Sequence, residues 1–245
     1  MIELLDPQPG DTVLDLAAGP GDTGFLAARR VGGDGRLVST DAAPEMVEAA
    51  RRRGAELGLE NVEYRVVDAA AIDLPDDSVD GLLCRFGVML VPDCEAVARE
   101  IARVLVPGGR AALAVWAEPD RNDWMTAGGR AALALGLVDR PPPDDPGPFR
   151  LADPARLRGV LEAAELAVTR LDEVEVTWRA SSLDEWWEVS LDTSRMLART
   201  VATAAPEQVE AIRAGAAERL GRYVEPDGSV VVPGVALVVL AATGS

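Results

Sequence analysis

A chain of 245 residues with 48% apolar content can fill a substantial core, and 27% charged residues is ordinary for a globular protein in water. Forty-one acidic residues against 24 basic ones give a formal charge of −17, a surface that repels phosphate backbones, so a nucleic-acid partner is not expected. The chain has no histidine and only Cys84 and Cys94, which excludes a Ser-His-Asp triad, a His-Cys dyad, a disulfide framework and nearly every zinc site. No run approaches the roughly 18 apolar residues of a membrane helix, and Met1 to Asp6 lacks a secretory pattern, so no membrane association and a cytoplasmic location are expected.

In chain order, Thr12 to Leu16 reads as a strand, followed by glycines and a helix through Phe25 to Arg29. Gly35 to Thr40 is a second strand closing at Asp41, and Pro44 opens a helix from Glu45 to Leu57. Asn61 to Val67 is a third strand ending at Asp68. Val79 to Cys84 is a fourth, apolar enough to be buried on both faces. Asp93 caps a helix from Cys94 to Leu105, which stops at Pro107-Gly108-Gly109 before a fifth strand, Arg110 to Trp116. Further on come a helix from Trp124 to Leu135, a proline-rich loop from Pro141 to Pro146, and a helix from Ala155 to Ala164. A strand from Val168 to Trp178, a mostly helical stretch from Ser182 to Leu220 and a final strand from Val230 to Ala241 complete the chain. Both cysteines lie in or near the end of the fourth strand and read as buried structural thiols. Alternation of strand and helix implies an α/β fold with a doubly wound sheet.

The candidate site begins at the turn Asp15-Leu-Ala-Ala-Gly19-Pro-Gly21-Asp-Thr-Gly24. Gly19 and Gly21 accept positive φ and carry no Cβ to block a ligand lying across the backbone. The helix that follows offers unpaired N–H groups. Gly19-x-Gly21-x-x-Gly24 formally matches the dinucleotide fingerprint, and Asp41 lies at nearly the right distance to hold a ribose. The turn by itself does not choose between two nucleoside cofactors. Asp41 can accept both hydroxyls of a ribose or cap the next helix, and Asp68-Ala69 ends the third strand at the edge where such sheets bind ligands.

The run from Val13 to Gly21 resembles the first motif of class I S-adenosylmethionine-dependent methyltransferases. Asp41, Asp68-Ala69, Leu74 to Asp80, and Arg103 to Arg110 follow in that family's order and approximate spacing. Arg85-Phe86-Gly87-Val88-Met89 is similar to the segment after strand four in the ubiquinone/menaquinone-biosynthesis branch of small-molecule methyltransferases. The resemblance is strong over residues 12–116 and only in outline beyond. It implies a Rossmann-like, three-layer α/β/α sheet, mostly parallel with an antiparallel last strand, binding S-adenosylmethionine and releasing S-adenosylhomocysteine. Asp15 would lie near the methionine amino group, with Ala17, Gly19 and Gly21 under the cofactor. Asp41 would hold the ribose with Ala42 and Met46 beside the adenine, Asp68 and Ala69 would meet the adenine edge, and Arg85 with Phe86 would lie near the methionine. Ala17 departs from the family's usual glycine. Only about eleven residues precede the first strand, so the family's roof over the cofactor falls to residues 117–150 and 181–222 or to a partner chain, unless the chain is truncated at this end.

Methyl transfer from a sulfonium is an in-line displacement on an activated donor, so alignment and exclusion of water matter more than a strong base. A chain without histidine is compatible with it, and any base would come from Asp or Glu in the variable region or from Tyr223. The chain is read as one domain over 1–245, with 1–116 as the cofactor-binding core and 117–150 plus 181–222 as substrate-side insertions. Met89, Trp116, Trp124, Trp186 and Trp187 are acceptor-side candidates, suited as a group to a small apolar or aromatic molecule, although core packing explains any one of them. No metal is expected, and the chain is read as a monomer or homodimer. An NAD-dependent oxidoreductase and a catalytically silent cofactor-binding domain are the alternatives. The oxidoreductase explains neither Asp68-Ala69 nor the segment from Leu105 to Arg110.

Overall fold

The computed structural model describes residues 1–142 and 144–244; Pro143, within the expected proline-rich loop, lies outside the described residues. Among the described residues seven strands occur: β1 Thr12–Leu16, β2 Arg36–Asp41, β3 Val62–Val66, β4 Val79–Arg85, β5 Leu105–Trp116, β6 Ala167–Ala180 and β7 Val230–Ala242. The helices are α1 Ile2–Leu5, α2 Gly24–Val31, α3 Pro44–Glu56, α4 Cys94–Val104, α5 Asp123–Ala134, α6 Pro154–Glu162, α7 Leu183–Thr193, α8 Arg195–Thr203 and α9 Pro206–Leu220.

Strand order is β3-β2-β1-β4-β5-β7-β6. The first five strands pair in parallel, with Asp15 opposite both Ser39 and Leu83. The order turns back at β1, between β2 and β4, which in open α/β sheets places the ligand crevice at the carboxyl ends of those strands. Beyond β5 the direction reverses. As the β5 partner advances from Gly108 to Gly109, the opposite residue retreats from Gly244 to Thr243, in bonds of 2.9 and 3.1 Å. The expected antiparallel last strand is therefore present. Successive residues such as Val13 and Leu14, Leu37 and Val38, and Leu82 and Leu83 are all fully buried, so both faces of this part of the sheet are covered. Phe25, Ala27, Ala28, Val31 and Ala50 pack against one of those faces.

Where sequence and structure part, long-range partners explain it. The fifth strand begins at Leu105 rather than after the Pro107-Gly108-Gly109 turn, with a register irregularity between Val79 and Gly81. Pairing with Thr243 and Gly244 draws the glycines into the sheet, and Thr243 Oγ1 donates to Val106 O at 2.8 Å. Helix α1, four residues long, escapes periodicity altogether. Leu5 holds it, fully buried and lying 3.3 Å from where a Cβ on Gly81 would sit. Both cysteines are buried free thiols, as expected; burial pushes Cys84 up to about 12 and Cys94 up to about 11.

Arg103 ties two of the sequence landmarks together. Its guanidinium donates to Ile72 O at 2.7 Å, Leu74 O at 2.8 Å, Asp76 Oδ1 at 2.7 Å and the Glu100 carboxylate. The hydrogen bonds from Arg103 hold Glu100 below the usual carboxylate range. Arg103→Ala is expected to destabilise the chain by about 2–4 kcal/mol in urea unfolding, because two carbonyls and two carboxylates lose a charged donor together. Glu100 contributes stability above its ordinary pKa and loses it as pH falls through the depressed value, so the variant's deficit should shrink in acid.

Two compact units are present. One comprises Met1–Trp116, Pro146–Glu173 and Leu237–Ser245; the other comprises Ala117–Asp145 and Val174–Ala236. The second has its own apolar core around Trp186, Trp187, Leu197, Ile212 and Leu220. Ser182 and Ser194 cap α7 and α8 with their side chains, dividing the stretch read as mostly helical. Buried Asp123 accepts from Arg219 Nε at 2.7 Å, Arg222 Nη2 at 2.5 Å and Tyr223 Oη at 3.2 Å, which fastens α9 to the start of α5 and engages the Tyr223 hydroxyl.

Candidate cofactor site

The parallel register carries Asp15, Asp41, Asp68 and Arg85 to one edge of the sheet, at or just past the ends of β1, β2, β3 and β4. The turn after β1 is closed by Ala18 N–H donating to Thr40 O at 2.8 Å and Thr40 Oγ1 donating to Asp15 O at 3.0 Å. Gly19 and Gly21 have φ of 54° and 91°, as their residue type foretold, and Ala17 has φ of 54°. An alanine in the left-handed region costs roughly 1–2 kcal/mol, which explains why glycine is the usual residue there.

Asp15 is buried, and Gly24 N–H donates to it. Its Oδ2 has no partner among the described residues, and burial pushes its carboxyl up from 3.8 to about 7 despite the nearby Arg85 guanidinium. A Cβ on Gly24 would collide with this carboxylate. Carboxylate and helix start are therefore packed as one unit, with the unpartnered oxygen against Gly24.

The Asp41 carboxylate ties the turn after β1 to the residue before α3, and α3 itself starts at Ala43 without a side-chain cap. Oδ2 accepts from Gly19 N–H and Oδ1 from Ala43 N–H, each at 2.9 Å, leaving lone pairs on both oxygens. Ala42 and Met46 are exposed beside it on the rim. Asp68 Oδ1 accepts from Ala70 N–H at 2.9 Å and so shapes the turn after β3, while Ala69 is buried.

After β4, Phe86 has φ of 63°, in a region non-glycine residues rarely occupy, and its ring stacks on Trp116 with centroids 4.0 Å apart and planes 4° apart. Gly87 follows because a Cβ there would lie 2.5 Å from Ala17 Cβ and 3.1 Å from Cys84 Sγ. This close approach joins the turn after β1 to the turn after β4.

Asp22 is the member that sequence reasoning missed. It forms ion pairs with Arg53 of α3 and with Arg85, the latter at 3.4 Å. In sequence it is one more acid at a helix start, and nothing local signals partners 31 and 63 residues away.

Of the acceptor-side candidates, Met89 and Trp116 lie in the same unit as the glycine turn, Met89 fully buried. Trp124, Trp186 and Trp187 lie in the other. Trp124 stacks parallel to Trp178 at 6.0 Å, and Trp186 donates its Nε1–H to Trp124 O at 2.8 Å. Trp186 and Trp187 are packing residues of that core, 2% and 7% exposed.

A family described as a methyltransferase domain matches residues 13–109, the segment that holds Asp15, Asp22, Asp41, Asp68 and Arg85. Residues 13–109 are similar to methyltransferase domains, including that of the ubiquinone/menaquinone branch, and the chain shares their Rossmann-like fold. Among curated relatives, an arsenite methyltransferase of Halobacterium salinarum is 42% identical over 105 residues, 43% of this chain and 27% of that protein. A ubiquinone/menaquinone biosynthesis C-methyltransferase of Hydrogenovibrio crunogenus is 41% identical over 110 residues, 44% of this chain and 43% of that protein. The chain thus spans between about a quarter and a half of the length of these relatives. The solved structure of the YcgJ protein of Bacillus subtilis aligns with all of this chain and 97% of its own, at 22% identity and a TM-score of 0.66, which establishes the shared fold.

Proposed function

We propose that this protein is an S-adenosylmethionine-dependent methyltransferase acting on a small apolar or aromatic acceptor. The observation that carries this reading is the sign of the charge around the glycine turn. Asp15, Asp22 and Asp41 surround it, and Asp15 Oδ2 is buried without a partner. A dinucleotide would lay a doubly negative pyrophosphate against these acids, whereas a ligand bearing a sulfonium and an ammonium suits them. When bound, S-adenosylmethionine supplies a methyl group already activated on a cationic sulfur.

In this reading Asp15 accepts from the methionine ammonium, with Arg85 and Phe86 beside that end and Ala17, Gly19 and Gly21 beneath. Asp41 accepts the ribose hydroxyls, while Ala42, Met46, Asp68 and Ala69 take the adenine. Met89 and Trp116, next along the chain from those groups and stacked on Phe86 respectively, are the acceptor-side residues. The Phe86–Trp116 stack suits a planar acceptor, and the sequence similarity to a quinone-pathway methyltransferase supports that class. The proposal needs neither a metal nor a nucleic-acid partner.

Thermal unfolding with S-adenosylhomocysteine and with NAD, side by side, tests it. At a hundredfold excess over the dissociation constant, S-adenosylhomocysteine should stabilise by about 2.7 kcal/mol. That corresponds to a melting point raised by roughly 5–10 °C in a chain of this size. Stabilisation by NAD alone would overturn the reading.

A further inference from the structure

Arg150 is a buried cation that holds main chain. Its side chain is 7% exposed, and Nη1 donates to Val91 O at 2.7 Å and to Pro92 O at 2.8 Å; Glu95 lies 3.8 Å from Nη2. Three residues earlier, Gly147 N–H donates to Met89 O at 3.1 Å. Leu151 and Ala152, buried directly after Arg150, anchor the same turn in the core. Residues 147–150, read from sequence as the end of a substrate-side insertion, thus belong to the unit that contains the glycine turn.

All these bonds land on residues 89–92, the stretch by which the chain leaves Arg85 and Phe86. That stretch begins from a backbone held at positive φ at Phe86, a conformation that persists only where the surroundings over-determine it. On one side Trp116 and the Ala17–Gly87 contact hold Phe86. On the other, residues 89–92 are pinned by Arg150 and Gly147, whose hydrogen bonds, among the described residues, are those that arrive from outside the segment's own turns. Arginine suits this task because its planar fork presents several donors in fixed geometry, where a lysine would offer a single centre.

We infer that Arg150 is a positioning residue: by pinning residues 89–92 it holds Arg85 and Phe86 at the methionine end of the cofactor site. The inference rests on the methyltransferase reading. S-adenosylhomocysteine serves as the probe, with its affinity and dissociation rate measured on the full chain at a temperature well below each variant's melting point. Arg150→Ala should release it about tenfold faster, the size of coupling expected through a packed network. Amide hydrogen exchange at residues 86–92 should rise in parallel, and Arg150→Lys should recover part of both effects. Gly147→Pro, which removes the N–H that reaches Met89 but leaves the arginine, should shift both in the same direction by less, and it carries the test should Arg150→Ala fail to fold. An Arg150→Ala chain that releases the probe at the parent rate overturns the inference, as does faster release with unchanged exchange at 86–92. A parent chain that does not bind the probe overturns the methyltransferase reading itself.

Discussion

Asp15→Asn should abolish cofactor binding and, at pH 8 without ligand, make the protein more stable. Burial raises the Asp15 carboxyl to about 7, well above the 3.8 of an exposed aspartate. The folded chain therefore keeps a proton between roughly pH 4 and pH 7 that the unfolded chain gives up. Asp15 contributes fully to stability below about pH 4, and the contribution is lost as pH rises through about 7. Above that, the folded protein carries a buried charge with one oxygen unpartnered. At 1.36 kcal/mol per pKa unit, the penalty is on the order of 4 kcal/mol. An asparagine removes the charge but leaves its amide donors short of partners, at a cost of about 1–3 kcal/mol, so a net gain of about 2 kcal/mol is expected. Thermal melts at pH 8 should show the variant unfolding about 5 °C higher, and at pH 5 the difference should vanish. Affinity for S-adenosylhomocysteine, by calorimetry, should fall at least about a hundredfold, since an ammonium loses a buried countercharge. In the parent, affinity should weaken about tenfold per pH unit below 7, as binding must first displace the Asp15 proton. A variant less stable than the parent at pH 8, or one that keeps its affinity, would refute this account.

For Asp41→Ala, stability and binding should fall together. One carboxylate accepts from Gly19 N–H and from Ala43 N–H, tying the turn after β1 to the start of α3. Charge-assisted bonds contribute about 1.5–3 kcal/mol each, so a loss near 3 kcal/mol in urea unfolding is expected. Affinity for S-adenosylhomocysteine should drop at least about a hundredfold, because the two ribose hydroxyls lose an acceptor as the turn loses its anchor. Asp41→Asn retains one acceptor and should recover roughly half of the stability with little of the affinity. If Asp41→Ala binds as the parent does, Asp41 is a structural tie and not a ribose ligand.

Much of the first half of the chain was legible without coordinates. Buried parallel strands read as short, largely apolar runs, as at β1, β2 and β4, while the edge strand β3 alternates apolar and charged residues, and all four were located within about two residues. Asp93 announced its helix, and its side chain accepts from Ala96 N–H at 2.7 Å. The site acids were legible for the same reason: each stands next to the end of a run, and parallel runs end at one edge. What escaped was whatever depends on distant partners, such as α1 held by Leu5, the glycines of β5 drawn in by Thr243, and Asp22 between Arg53 and Arg85. The acceptor-side tryptophans show the same limit. Trp186 and Trp187 read alike as binding or packing, and only their burial in a core assembled from four helices and two strands separates the two.

By itself, the sequence determined the kind of sheet, the turn that a nucleoside cofactor would cross and the absence of histidine chemistry, because these follow from local periodicity, residue type and composition. Only the tertiary structure decided the electrostatics of that turn. Whether Asp15 is a solvated carboxylate or a buried one with a free oxygen depends on Gly24, Arg85 and the surrounding strands, which approach it only after folding. Desolvation is a property of the assembled neighbourhood and not of the residue, and here it raises the Asp15 carboxyl to about 7.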